Sequence, residues 1–181
     1  GINFYLCLLF YFTQKRNNNL KRIITILLIV ISVVGVDQWS KIWAVENIKN
    51  QRATEYFNNF FKLIYAENTG AFLGSGSDLA PTVSFWVLKI LPLLVLLGLF
   101  GYLLYMKSMP LMATIAFSLV VGGGISNIAD RFLNNGHVVD FMNMGIGSLR
   151  TGIFNFADVF IMVGIGMLLF VQLFVKEEKT A

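Results

Sequence analysis

Three stretches of the chain, Leu20 to Val36, Val83 to Met106 and Phe154 to Val175, come close to the roughly 20 apolar residues that a helix needs to cross a hydrocarbon core. No other feature restricts the fold as strongly. A fourth stretch, Pro110 to Ile128, is apolar but carries Gly122, Gly123 and Gly124, which in a membrane helix let a neighbour approach closely. It is counted as a span. Composition agrees, because 56% of the 181 residues are hydrophobic and only 13% charged, far from the balance of a soluble domain of this length. The expected fold is an all-α membrane protein, a bundle of four transmembrane helices.

The same sequence excludes other classes. The formal charge is +4, but the basic residues are scattered, with no aromatic-interleaved patch to track a phosphate backbone, so no nucleic acid partner is expected. One cysteine, Cys7, and one histidine, His137, build neither a disulfide nor a zinc site. Neither a metal nor another cofactor is expected. Lys15, Arg16, Lys21 and Arg22 flank the first span, and Lys107, Lys176 and Lys179 fall on the same side, so the density of positive charge near helix ends favours an inside N-terminus.

Residues 1–19 read as an N-terminal extension or expression remnant, because the apolar run Phe4 to Phe12 is too short to span. Residues 20–181 read as a single membrane domain. Pro110 suits a helix start, whereas Pro92 lies inside the second span and predicts a kink. Alternation over Phe57 to Ala66 predicts short strands between the first two spans, and residues 133–152 predict a glycine-dotted loop. Lys89 is expected to snorkel to the interface, His137 to be a polar loop residue, and Cys7 to be inert.

With four spans, the end of the first, the end of the third and the start of the fourth share one side of the membrane. That side therefore collects Asp37-Gln38-Trp39-Ser40-Lys41, Ser126-Asn127-Ile128-Ala129-Asp130-Arg131 and Phe154-Asn155-Phe156-Ala157-Asp158, together with the loop holding Glu67-Asn68-Thr69-Gly70. Residues three or four apart share a helical face, so Asp37 faces with Lys41, Asn127 with Asp130 and Arg131, and Asn155 with Asp158. Ionised groups near lipid persist where they pair or do work. Asp37 with Lys41, and Asp130 with Arg131 or a neighbouring helix, read as structural pairs. Asp158 and Asp140 have no basic residue at helical spacing, and Asp140 lies in the apolar run Val138-Val139-Asp140-Phe141. Were the two to approach, one would keep a proton beside an ionised partner, a pair that activates water without a metal or a nucleophilic Ser or Cys. From patterning alone an ion pathway, a proton-coupled transporter or a hydrogen-bonded structural role remains open beside this reading.

The motifs, in order, resemble those of lipoprotein signal peptidase, also called signal peptidase II, over roughly Lys21 to Val175. Asp37-Gln38-Trp39-Ser40-Lys41 is similar to a D-Q-x-x-K block and Asn68-Thr69-Gly70-Ala71-Phe72 to an N-x-G-A-x-[FW] loop. Gly122 to Arg131 is similar to G-G-x-x-G-N-x-x-D-R, Val138 to Phe141 to V-V-D-F, and Phe154 to Asp158 to F-N-x-A-D. The resemblance implies a metal-independent aspartic endopeptidase with Asp140 and Asp158 as catalytic residues, and Asn68, Gly70, Asn127, Asp130, Arg131 and Asn155 as substrate-binding or supporting ones. The implied substrate is a diacylglyceryl-modified prolipoprotein, cut on the N-terminal side of the lipidated cysteine. The implied fold adds a small extracytoplasmic β-cradle, placed at about residues 47–72, and a periplasmic loop at about 133–152 that could close as a lid on Gly145, Gly147 and Gly152. A multi-pass, monomeric enzyme of the bacterial inner membrane is implied, in contact with membrane lipids, with its active site at the outer face and open to peptide antibiotics such as globomycin. Ser126 departs from the family glycine, with little consequence expected for packing and none for chemistry. Leu73 and Gly74 after Phe72 are expected to alter the pocket edge, and the aromatics Tyr56, Phe57, Phe60, Phe61 and Tyr65 to anchor the cradle or touch substrate.

Overall fold

A computed structural model describes residues 2–70, 76 and 79–174, with side chains from Asn19 onward. The expectations for Ala71, Phe72, Leu73, Gly74, the Cys7 side chain and the tail from Val175, with Lys176 and Lys179, lie outside the described residues. Among the described residues, four helices are long and apolar enough to cross a membrane: α1 (Ile2–Asn47, with Asn19–Asn47 as its span), α2 (Pro81–Tyr105), α3 (Leu111–Leu133) and α4 (Phe156–Phe174). Four antiparallel strands, β1 (Thr54–Tyr56), β2 (Phe61–Asn68), β3 (Val138–Ile146) and β4 (Leu149–Arg150), pair in sequence order into one small sheet. A four-helix membrane bundle carrying a small sheet is the expected architecture. Its boundaries differ in ways that matter.

The first and third spans run past their expected ends at Val36 and Ile128, to Asn47 and Leu133. Their charged residues do not stop the helices because they are turned inward and neutralised, Asp37 and Lys41 being 0% and 3% exposed. Trp39, Ile42 and Trp43 keep the outer face of α1 apolar. Helix α1 begins at Ile2 and runs without a break into the first span. Pro110 stands immediately before α3, where its missing N–H costs nothing. In α2 the effect of Pro92 is a π-helical turn over Phe85–Ile90 just ahead of it, which widens the helix where a proline would otherwise strike the preceding turn.

Helix α3 is the centre of the bundle. Half of its span is buried, against 11% for each of the other three. Its three successive glycines meet three different helices: a Cβ on Gly122 would lie 2.9 Å from Val33 of α1, one on Gly123 would lie 2.5 Å from the Ala157 carbonyl of α4, and one on Gly124 would strike Leu96 of α2. Small residues here replace the side-chain layer and bring backbones together, the usual basis of helix association in lipid. At the opposite end, Arg22 of α1 donates to the Leu103 carbonyl of α2.

Residues 133–152, expected as a glycine-dotted loop, are instead mostly a β-hairpin. Six successive residues, Val138 to Asn143, are buried, so the strand lacks the in–out alternation that announces a half-exposed strand. Gly145 pairs with Arg150 where any side chain would meet Leu149 and Arg150, and Gly147 takes the turn with φ +58°. These glycines serve close packing and a tight turn. The cradle is likewise not confined to residues 47–72, since α1 occupies that range to Asn47 and half of the sheet comes from β3 and β4. Ala44, Phe141 and Met142, with Ile48, Phe61, Leu63, Phe154, Phe156 and Val159, form the apolar joint between sheet and bundle.

Candidate active site

Three local devices bring Asp140 and Asp158 to one place. The first is the end of β2. Asn68 pairs with Val138 and Ala66 with Asp140 across the β2–β3 ladder. The Asn68 Oδ1 accepts the Gly70 N–H at 2.9 Å, an Asx turn of the kind an Asn-x-Gly sequence favours, while Asn68 Nδ2 donates to Asp140 Oδ2 at 3.0 Å. Arg131 Nη2 holds the same turn by donating to the Gly70 carbonyl at 2.6 Å.

The second device is the return of the chain onto β3. Phe154 exchanges backbone hydrogen bonds with Met142, at 2.9 Å and 2.8 Å, and so starts α4 against the middle of β3. Asn155 then caps the helix. Its Oδ1 accepts the Asp158 N–H at 3.0 Å and Asp158 Oδ2 accepts the Asn155 N–H at 3.2 Å, a reciprocal capping box. The amide of the fully buried Asn155 also donates to Asp140 Oδ1 at 2.7 Å. One side chain thus binds both aspartates.

The third device is α3, from which Asn127 Nδ2 donates to Asp158 Oδ1 at 3.0 Å and Asn127 Oδ1 accepts from Asn155 at 3.1 Å. Below the aspartates lies a buried ionic cluster. Lys41 Nζ stands 2.6 Å from Asp37 Oδ2, 2.9 Å from Asp130 Oδ2 and 2.9 Å from Asn127 Oδ1. Asp37 Oδ1 accepts the Ala157 N–H at 2.7 Å, and Asp130 Oδ1 accepts from Gln38 at 2.7 Å. Asp130 therefore takes its cation from α1 rather than from its neighbour Arg131.

The ten residues that the sequence placed at the site, Asp37, Lys41, Asn68, Gly70, Asn127, Asp130, Arg131, Asp140, Asn155 and Asp158, fall within this one network. Two members were passed over. Gln38 was read only as part of a motif, and Ser126 as a tolerated departure, yet the Ser126 hydroxyl donates to Asp37 Oδ2 at 2.8 Å and accepts from Gln38 at 3.0 Å. The i, i+4 spacing of Ser126 and Asp130 carried that signal. His137 reaches Glu67 at 3.5 Å on the exposed side of the sheet, where Lys49 and Tyr65 also bond Glu67 and hold its carboxyl below the usual range. Lys89 rests over the Phe85 and Phe132 rings, at 5.8 Å and 5.7 Å.

The carboxylates open into a cavity of about 570 Å³, of a size that takes small-molecule ligands. Asn68, Asn127, Arg131, Asp140 and Asp158 make its polar end, and apolar side chains of α2, α3 and α4, among them Leu88, Pro92, Leu96, Ile161 and Ile165, make the rest. Burial pushes Asp140 up to about 6, and the charge of Asp158 adds to it, against the hydrogen bonds from Asn68 and Asn155 and the field of Lys41. Two desolvated carboxyl groups, oriented by amides and without a cation in contact among the described residues, suit proton transfer to and from a bound molecule.

A family model described as "Signal peptidase (SPase) II" matches residues 29–174. The chain is 37% identical to a lipoprotein signal peptidase of Borrelia turicatae, covering 91% of this chain and 98% of that one, and 34% identical to its namesake in Borrelia hermsii over the same shares. A solved bacterial membrane enzyme, determined by the in meso method at 2.3 Å resolution, superposes with a TM-score of 0.69 at 27% identity, covering 87% of this chain and 94% of the other.

Proposed function

The chain belongs to the signal peptidase II family and is an aspartic-type protease that removes signal peptides from prolipoproteins; we propose that it does so with Asp140 and Asp158 as the catalytic pair. The observation that carries this reading is Asn155, whose side-chain amide donates to Asp140 Oδ1 while its backbone N–H donates to Asp158 Oδ2, so that one residue joins the two carboxyl groups at the polar end of the cavity. One carboxyl of the pair holds a proton and acts as the acid, and the other is ionised and acts as the base, burial favouring the shared proton by raising Asp140 to about 6. The ionised carboxylate takes a proton from water as its oxygen attacks the scissile carbonyl carbon, and the protonated one hydrogen-bonds the carbonyl oxygen. Collapse of the tetrahedral intermediate breaks the C–N bond, with the proton passed to the leaving amine. The pair titrates as a unit, so its pH limbs are macroscopic.

Asn68, Gly70, Asn127, Asp130, Arg131 and Asn155 support the pair or the substrate. The Nε of Arg131, buried without a hydrogen-bond partner among the described residues, is a donor suited to a substrate carbonyl. The apolar walls of the cavity suit the acyl chains of a diacylglyceryl cysteine, and the bond cut is the one on the N-terminal side of that residue. The enzyme works as a monomer in the bacterial inner membrane, surrounded by lipid, with the site at the outer face. Globomycin, a peptide antibiotic, is expected to fill the same cavity.

The test is cleavage of a synthetic diacylglyceryl prolipoprotein by the purified protein in detergent. The parent is expected to cut before the lipidated cysteine, and Asp140→Asn and Asp158→Asn each to lose about 10²- to 10⁴-fold in rate while staying folded. Near-parent activity in either variant would sink the pair.

A further inference from the structure

Lys41 is missing from the cavity wall, yet it is one hydrogen bond from a residue that holds a catalytic carboxylate. Its ammonium has three N–H donors, and each has a separate acceptor: Asp37 Oδ2 at 2.6 Å, Asp130 Oδ2 at 2.9 Å and Asn127 Oδ1 at 2.9 Å. The third contact does not neutralise charge. It selects which end of the Asn127 amide points where. With Lys41 and the Asn155 Nδ2 both donating to Asn127 Oδ1, only Nδ2 is left to face Asp158 Oδ1, which it does at 3.0 Å. The reversed amide would set an NH₂ group against two donors and an oxygen against a carboxylate oxygen, an arrangement with three repulsive contacts.

We propose that Lys41 is a positioning residue for peptide cleavage, which locks the Asn127 amide so that its N–H donors face Asp158. The inference rests on the assignment of Asp140 and Asp158 as the catalytic pair. Two carboxylates flank one ammonium, so a purely ionic role would be complete without Asn127. Lys41 acts on orientation and field, not on substrate contact, so its removal falls on kcat and leaves KM alone. The field of Lys41 also opposes the burial of Asp140. Its loss therefore moves the alkaline limb of the rate profile upward in pH, with Asp37 on α1, Asp130 and Arg131 on α3, Asp158 on α4 and Asp140 on β3 as the other charges facing the cluster.

The experiment is a double-mutant cycle on the full chain with the diacylglyceryl prolipoprotein as substrate. Lys41→Met is expected to lower kcat by about 100-fold with KM within about threefold, and to displace the alkaline limb upward. Asn127→Ala already lacks the amide, so Lys41→Met in that background is expected to cost no more than about threefold. Multiplicative losses, a loss confined to KM, or an unmoved limb would overturn the proposal. Removing the cation leaves two carboxylates buried, so Lys41→Met/Asp130→Asn, which conserves the net charge of the cluster, is measured for the same split between kcat and KM. Failure of both variants to fold would assign Lys41 to holding helices together and equally overturn the proposal. Asp140→Asn and Asp158→Asn keep the two ideas apart: active aspartate variants refute the catalytic pair, whereas inactive ones beside a fully active Lys41→Met refute only the role of Lys41.

Discussion

Replacing Asn155 separates what the site needs for folding from what it needs for chemistry. Asn155 performs two tasks with different atoms: Oδ1 caps α4 by accepting the Asp158 N–H at 3.0 Å, and Nδ2 donates to Asp140 Oδ1 at 2.7 Å. Serine retains the first task, being among the best residues at a helix N-cap, and loses the second. A hydrogen bond to a charged acceptor contributes about 1.5–3 kcal/mol, so Asn155→Ser should lower kcat/KM by roughly 10- to 150-fold at about 1.4 kcal/mol per decade. The serine variant should lose some stability, because Asp140 and Asn127 are each left short of a buried donor, but less than a variant that loses the cap as well. Alanine loses both tasks, and Asn155→Ala should show the same kinetic defect plus about 1 kcal/mol of lost capping. Losing the amide also removes an interaction that holds the Asp140 carboxyl down, so the alkaline limb should shift to higher pH in both variants. The assays are cleavage of the lipidated peptide across pH and thermal unfolding of the same preparations. Parent-like activity in Asn155→Ser, or equal stability of the serine and alanine variants, would refute the division of labour.

Four further outcomes are expected. Because the proton shared by the pair is present at low pH and is lost as pH rises through the raised value, about 6 at Asp140, kcat/KM should fall tenfold per unit above that limb, and the limb in kcat should lie higher because bound substrate excludes water; coincident limbs in the two profiles would count against burial as the cause. Gly123→Ala should cost about 1–3 kcal/mol and also lower activity, since its Cβ would lie 2.5 Å from the Ala157 carbonyl, next to Asp158; Gly98→Ala, with nothing within 4 Å of its Cβ, is the silent control in both thermal unfolding and turnover. Ser126→Ala should cost about 1–2 kcal/mol, read by thermal unfolding, by leaving Asp37 and Gln38 each short of a buried partner, with a smaller effect on turnover. Lys49→Ala should leave both stability and cleavage unchanged, because the Lys49–Glu67 pair is exposed and screened.

The spanning helices were legible because length and hydropathy are local properties, and nothing distant is needed to recognise 20 apolar residues. Their ends were not. Asp37 and Asp130 look like the points where lipid stops, but they continue their helices because Lys41 satisfies both, a fact held in contacts 4 and 89 positions away in the chain. Strand β3 escaped for a related reason: Val138 to Asn143 is buried on both faces, so its pattern matches neither an amphipathic helix nor a half-exposed strand, and its partner β2 lies beyond two helices in sequence. Asp140 and Asp158 stood out through the absence of local counter-ions, which sequence can show. What sequence could not show is that one residue, Asn155, bonds both carboxyl groups, although Asn155-x-x-Asp158 is a capping-box spacing and could have fixed Asp158 in the first turn of α4.

The placement of charge in α1 has a consequence for how the protein reaches the membrane. Asp37 and Lys41 sit one turn apart on the same helix, so α1 brings its own counter-ion as it leaves water, and the cost of moving an unpaired ion into lipid does not arise. Helix α3 has no such provision for Asp130, whose cation resides on α1. The order of synthesis suits this dependence, since the helix that supplies the charge emerges first and is in place when the helix that needs it follows. A circularly permuted chain in which α3 entered before α1 would meet the bilayer with that carboxylate unmatched, and the burden of insertion would pass from the sequence to the cell's translocation machinery.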